Sequence, residues 1–363
     1  MRYFYEGNIM QTISDIIRNY KSIIYDKLLE YLYLDNFKEI PKNYQEIKSF
    51  HLELCSDYPQ RGGKFLRSVI LILMAEAFGG SVDHTLQTAT AIEISQNWLL
   101  IHDDIMDGSL LRRGQPTLNR KYNNRFAVNA GDSLQVIMWK ILRDNEFVIG
   151  VDKSFRVIDE FIKILERTTF GQTAELWFSE RNILSFSESD YYFIVDGKTS
   201  CYTISGPMRL GAIVGNSDFE SLNKTIFPIL DNIGKCFGRA FQIIDDVLNI
   251  TSDFDGLKEK RGSDIVEGKR TLLLIHLLNN CTKDQREKVC NIMNESQICK
   301  SQEDIEYIID LFSQMGSIDY AFEKAKDWSK RGFYLFKQCD FLINTDAKEK
   351  LLAIMDYLVN RTH

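Results

Sequence analysis

Two acidic runs, Asp103-Asp104-Ile105-Met106-Asp107 and Asp245-Asp246-Val247-Leu248-Asn249, lie far apart in this chain, each in an apolar setting. Residues four apart on a helix stand above one another on one face, roughly 6 Å between Cβ atoms, so Asp103 and Asp107 make a pair that one or two small cations can bridge. Without cations such carboxylates repel. Two runs of this kind facing each other across a helical bundle would form an oxygen-rich mouth suited to Mg2+ carrying a phosphate-rich ligand.

The elements that must position these acids read as helices. Apolar residues recur at spacings of three and four, as in Ile13, Ile16, Ile17, Ile23, Ile24 and in Val69, Leu73, Ala77. Strand-like alternation is scarce. Turn chemistry falls at Gly79-Gly80, Arg113-Gly114-Gln115-Pro116, Gly206-Pro207 and Asp255-Gly256. On the helix ending at Asp107, Gln96, Leu100, Asp103 and Asp107 share one stripe, and a helix from Gly238 to Ile250 aligns Phe241 or Gln242 with Asp245, Asp246 and Asn249. Acid at one end with apolar or amide groups below suits a ligand with a polar head and a hydrocarbon tail.

Composition bounds the answer. The length of 363 residues allows more than one domain, but there is no low-complexity linker and only 5 Pro, so long helices are permitted almost throughout. The expectation is an all-α, single-domain bundle of about ten or more helices around a central cavity: a helical extension over residues 1–40, then one catalytic domain over 41–363. With 44 basic against 51 acidic residues the net charge is -7, which gives no electrostatic footprint for nucleic acid. The longest apolar run, Val69 to Ala75, falls far short of the roughly 20 residues of a membrane span. No signal layout precedes it, so a cytoplasmic protein is expected. Seven Cys without a CxxC pair argue against a disulfide framework or a zinc site.

Basic signatures surround the acids: Gly62-Gly63-Lys64-Phe65-Leu66-Arg67, Arg112-Arg113-Gly114, Asp196-Gly197-Lys198-Thr199, and the stretch from Lys260 through Asp264 to Lys269. Singly each is weak. Jointly, in this order from about Gly62 to Thr271, they resemble the trans-prenyl diphosphate synthases, the farnesyl and geranylgeranyl diphosphate synthase family. The resemblance implies a Mg2+-dependent prenyltransferase, three ions per site, that joins isopentenyl diphosphate to an allylic diphosphate (dimethylallyl, geranyl or farnesyl). It places Asp103 and Asp107 on two ions and Asp245 on a third, with Asp104, Asp246 and Asp264 orienting metal-bound water. Arg112, Lys198 and Lys260 would donate to phosphate oxygens, with Lys269 and Phe241 lining the substrate. Lys64, Arg67, Arg113 and Gln96 match the metal-free pocket for isopentenyl diphosphate. Thr199, Tyr202 and Gln242 would stabilise the allylic cation, which the isopentenyl double bond attacks before a proton leaves to the departing diphosphate. The resemblance further implies a homodimer.

Two positions depart from the family pattern. Asn249 stands where an aspartate is common, so the second run would coordinate through Asp245 and at most Asp246, and Glu175 replaces the usual aspartate of a Gln-x-x-Asp-Leu segment. Product length should depend on bulk below the first acids: four or five residues of helix cover roughly 6 to 7.5 Å, about one isoprene unit, which singles out Leu99 and Trp98. Trp98 sits roughly 140° round the wheel from Asp103, so only the family analogy aims it down the shaft. An aromatic there argues for a C15 or C20 product.

Plainer readings exist for every feature taken alone. A lone Asp-Asp-x-x-Asp is ordinarily a solvated helix end, Gly-Gly-Lys a turn, Arg112-Arg113 an exposed pair, Trp98 and Leu99 core, and Gln96, Gln172 and Gln242 buried amides. Asp132 in Asn129-Ala130-Gly131-Asp132 reads as a helix N-cap. A phosphate loop at Gly197-Lys198-Thr199 fails because position 192 is Tyr. Among rival functions, a terpene cyclase has one diphosphate to bind and no use for Lys64, Arg67 and Arg113. A non-catalytic partner subunit would have lost its carboxylates, and a His-Asp phosphohydrolase using His102, with His84 or His51, would need no second acidic run.

Overall fold

The computed structural model describes residues 2–33, 40–251 and 261–360, with side chains from residue 13 onward. Lys260 and the Asp255-Gly256 turn fall outside the described residues.

Helix α1 (Arg2–Tyr33) is followed by α2 (Gln45–Gln60), α3 (Leu66–Ala77) and α4 (Val82–Met106). The strands β1 (Leu111–Arg112) and β2 (Gln115–Pro116) form a small antiparallel hairpin, Leu111 opposite Pro116 and Arg112 opposite Gln115. Then come α5 (Leu118–Lys121), α6 (Asn124–Asp144), α7 (Glu146–Ile149), α8 (Val151–Glu180) and α9 (Glu188–Val195). A π-helical stretch, Asp196–Ser205, joins α9 to α10 (Gly206–Gly215), and α11 (Phe219–Ser221) and α12 (Phe227–Thr251) follow. The C-terminal part comprises α13 (Ser263–Glu267), α14 (Leu272–Asn280), α15 (Lys283–Asn294), α16 (Gln302–Gln314), α17 (Ser317–Lys337) and α18 (Thr345–Asn360). The chain is a single helical domain. Among the described residues no helix is long and apolar enough to cross a membrane.

Burial explains the order. Every residue from Ser68 to Ala75 is buried, so α3 runs through the interior with neighbours on all sides, as an all-round apolar helix must. Ile24 and Leu28 of α1 join the same core, so the N-terminal helix packs as part of the bundle. Helix α12 links two apolar clusters: Leu230, Ile233 and Phe237 enter the first, and Ile243, Val247 and Ile250 enter a second built with α14 and α16. Side-chain caps set several helix starts. The Ser81 hydroxyl accepts from the His84 amide, and Ser187 and Asp190 form a reciprocal capping box at the head of α9.

Two turn expectations are corrected. Gly206-Pro207 does not break the chain: Pro207 sits in the first turn of α10, where its missing N–H costs no intrahelical bond. Asp132 is not an N-cap. It lies inside α6, whose N-cap is Asn123, and Gly131 serves close packing instead, because a methyl there would collide with the His102 ring of α4.

Candidate active site

Along α4 the predicted stripe is visible as a change in burial: Gln96, Leu99, Leu100, Asp103 and Asp107 are half-buried, while Ser95, Asn97, Trp98 and Ile101 are buried. Asp103 therefore faces an opening, and Asp107 caps the helix end. Burial works to raise Asp103, but the charges of Lys198, Arg112 and Lys269 outweigh it and hold the carboxyl below the usual range. Asp107 has less help. Its burial and then the charge of Asp103 push it up to about 7. The adjacent Asp104 points the other way and is fully buried. Arg112, expected among the phosphate donors, instead gives its guanidinium to Asp104, with Nε at 2.9 and 3.0 Å from the two carboxylate oxygens, and Tyr58 OH donates to Asp104 at 2.5 Å. Arg112 and Tyr58 thus both engage the Asp104 carboxylate. The Arg112 head also lies 4.0 Å from Asp103, so the pair braces the first acidic wall from behind.

Across from this wall, the π-helical stretch presents Lys198, whose ammonium lies 2.5 Å from Glu175 and 3.6 Å from Asp103. Glu175, the departure noted above, therefore orients a lysine. Thr199 donates to Gln242 at 2.8 Å, Gln242 donates to Asp246 at 2.8 Å, and Tyr191 donates to the other oxygen of Asp246 at 2.7 Å. Asp246 is buried, and that burial with the nearby Asp264 charge raises its pKa well above the ordinary value. Its neighbour Asp245 is exposed on the same helix. Asn249 is a clip: it donates to the Ser263 hydroxyl at 2.7 Å, and its carbonyl oxygen accepts from the Asp264 amide at 3.2 Å. An aspartate there could accept from the Ser263 hydroxyl but could not donate to it. Lys269 lies 3.1 Å from Asp264 and 2.5 Å from Glu267, and its charge also reaches Asp103 and Asp107. Lys269 thus links the first acidic wall to Asp264, whose carboxyl feels the charge of Asp245, and Lys198 stands beside Asp103.

A separate cationic cluster sits beside this mouth. Arg67 donates to Thr203 at 2.9 Å and stacks its guanidinium 4.8 Å over the Tyr202 ring. Tyr202, expected to face the reacting cation, is buried under Arg67 with its hydroxyl 2.8 Å from Ser95. Arg113 takes a left-handed backbone (φ 55) at the hairpin tip and donates to the Tyr58 carbonyl at 3.0 Å. Lys64 is exposed, 5.4 Å over the Tyr357 ring. Beside these cations lies Glu93, buried and accepting from Ser68 at 2.8 Å.

Comparison with known proteins gives the family. The polyprenyl synthetase family profile matches residues 49–312. The chain belongs to the polyprenyl synthetase family. It is 31% identical over 328 residues to the geranylgeranyl diphosphate synthase of Saccharolobus solfataricus, covering 90% of this chain and 91% of that one. The crystal structure of geranylgeranyl pyrophosphate synthetase from Pyrococcus horikoshii superposes with a TM-score of 0.80 at 29% identity, covering 96% of this chain and 99% of that one. A geranylgeranyl pyrophosphate synthase from Corynebacterium glutamicum, complexed with isoprenyl diphosphate and magnesium, shares the fold with a TM-score of 0.81 at 22% identity, covering 95% and 99%. This polyprenyl synthetase is a prenyltransferase.

Below the acids of this synthetase, Trp98 lies edge-on to His102, ring centroids 5.7 Å apart, and so turns toward α6, while Leu99 stays on the half-buried stripe with Asp103. Four residues that sequence reasoning passed over lie against the candidate residues: Tyr58, Glu93, Tyr191 and Glu267. Only Glu93 carried a signal, as a carboxylate inside the apolar run Ala91-Ile92-Glu93-Ile94, where an unpaired charge is costly. The tyrosines read as core, since only their partners reveal them.

Proposed function

We propose that this polyprenyl synthetase joins isopentenyl diphosphate to dimethylallyl, geranyl or farnesyl diphosphate and releases a C15 or C20 prenyl diphosphate. The supporting observation is the pairing of two sites: an acidic mouth that holds Lys198 and Lys269, and beside it the cluster of Lys64, Arg67 and Arg113. One suits a diphosphate that ionises; the other suits a diphosphate that does not.

The donor set fits Mg2+: Asp103, Asp107 and Asp245 offer hard oxygen ligands, and the upward push on Asp107 from burial and Asp103 marks a place short of positive charge. Bound there, with three ions expected, Mg2+ would neutralise the charge that grows on the departing diphosphate. Lys198 and Lys269 donate to the same oxygens as the allylic C–O bond breaks. The Thr199, Gln242 and Asp246 chain aims fixed dipoles at the resulting cation. The isopentenyl double bond forms the new C–C bond, and the proton lost from the adjacent carbon goes to the diphosphate. Lys64, Arg67 and Arg113, with Gln96, hold the second substrate in line, which replaces a bimolecular search by a fixed approach.

Incubation with Mg2+, labelled isopentenyl diphosphate and primers of five, ten and fifteen carbons tests the reading. Chain extension ending at C15 or C20 is the expected result, and diphosphate release without extension would sink it. Leu99, on the stripe with Asp103, forms the floor in this reading, with Trp98 packed behind it. Trp98→Ala should yield longer products, measured by reversed-phase chromatography of the dephosphorylated alcohols; an unchanged product would leave Leu99 as the stop.

The enzyme is further read as a cytoplasmic homodimer. Val151, Phe155, Ile162, Phe170 and Trp177 are exposed large apolar residues at spacings that put them along one side of α8, a patch suited to a second copy of itself.

A further inference from the structure

Helix α1 brings a fourth cation to the cluster of Lys64, Arg67 and Arg113. It is held on both sides of Lys21: Tyr20 donates to Glu76 of α3 at 2.7 Å, and Tyr25 lies edge-on to Phe65 with ring centroids 6.5 Å apart. Between these contacts the Lys21 ammonium sits 5.4 Å over the Phe65 ring. Phe65 has a left-handed backbone (φ 52), which a bulky residue rarely adopts. That conformation turns the chain between Lys64 and α3 and holds the ring under the ammonium.

The neighbouring glycines explain how cations come so close. A β-carbon on Gly62 would stand 3.7 Å from Lys21 Nζ, and one on Gly63 would stand 3.1 Å from Arg113 Nη2. The Gly62-Gly63 pair is therefore flanked by an ammonium and a guanidinium, and the absence of side chains leaves its backbone open to a ligand between them. Glu93 feels Arg67, Arg113 and Lys21 together. Cations from three separate elements thus converge on one buried carboxyl, and with Lys64 the local charge is strongly positive. Such an excess calls for an anion.

We propose that Lys21, supplied by the N-terminal helix, is a further phosphate-binding cation of the isopentenyl diphosphate pocket. The proposal rests on the assignment of that pocket to isopentenyl diphosphate. A lysine gives a point contact on a rotatable stem, complementing the fixed forks of Arg67 and Arg113.

The test is Lys21→Met, which keeps the stem over Phe65 and removes the charge. KM for isopentenyl diphosphate should rise about tenfold, the loss of one charge-assisted bond, while kcat and KM for the allylic substrate stay within about twofold. Lys21→Arg should restore most of the loss. An unchanged KM for isopentenyl diphosphate, or an equal rise in both KM values, overturns the proposal. A measurement on the unsubstituted protein guards against misfolding of the variant: acylation of Lys21, followed by mass spectrometry, should slow when isopentenyl diphosphate is added without metal. An undiminished rate overturns the proposal even in an active enzyme. Failure of the unsubstituted protein to extend any primer defeats the prenyltransferase reading instead, and slowed labelling by inorganic diphosphate would still support Lys21 as a phosphate-binding group.

Discussion

Asp103 and Asp104 are neighbours in sequence with opposite surroundings. Asp103 faces the mouth 3.6 Å from Lys198, whereas Asp104 is sealed behind it by Arg112 and Tyr58. Substitution should separate them. Asp103→Ala or Asp245→Ala should lower kcat by roughly a hundredfold or more, with little change in melting temperature, because charge stabilisation of the leaving group is lost without disturbing packing. Near-normal turnover in either variant would remove the metal assignment. Glu93 makes a pH prediction. Burial raises its pKa above the ordinary glutamate value despite Ser68 and the nearby cations. The folded chain then holds this proton where the unfolded chain has released it, so the Glu93 contribution to stability is greatest below the unfolded pKa and declines as pH rises through the folded one. Glu93→Gln should flatten that part of a stability-against-pH curve measured by urea unfolding.

At the scale of elements, the site depends on how closely α12 approaches the π-helical stretch. A π turn places its side chains out of the ordinary helical register, and here it brings Lys198 to the acids and Thr199 to Gln242. Gly238 of α12 permits this, since a methyl there would press into Ser200, beside Thr199. Gly238→Ala should destabilise the protein by about 1–3 kcal/mol in chemical denaturation through overpacking, and should lower activity by shifting Thr199. Equal stability and activity would mean that the two elements yield more easily than close packing implies. The start of α13, Ser263 and Asp264, depends on another element-level device, the Asn249 amide, which ties it to α12. In this chain the last position of the second acidic run holds the start of α13.

For the molecule as a whole, α8 carries the exposed apolar line of Val151, Phe155, Ile162, Phe170 and Trp177 while its opposite side, including Val157, Phe161 and Ile164, is buried in the core. A double substitution, Phe155→Asp with Ile162→Asp, should convert a dimer into a monomer in sedimentation equilibrium, because each burial of such a side chain contributes roughly 1.5–3 kcal/mol and a charge reverses it. A monomeric unsubstituted protein would refute the dimer.

The helical class and the acidic stripe were legible from residue order because both obey a local rule: periodicity of 3.6 places Gln96, Leu100, Asp103 and Asp107 on one face of α4 whatever the rest of the chain does. Spacing likewise put Asp245 and Asn249 on one face of α12, whereas Lys64 and Arg67 were grouped through the family resemblance. What tertiary packing alone decided is which groups meet across elements: Arg112 with Asp104, Tyr191 with Asp246, Tyr25 with Phe65, and His102 against Gly131. Such pairings join residues 8 to 55 positions apart. They depend on side chains from several elements fitting one volume, a condition that no single window of sequence contains.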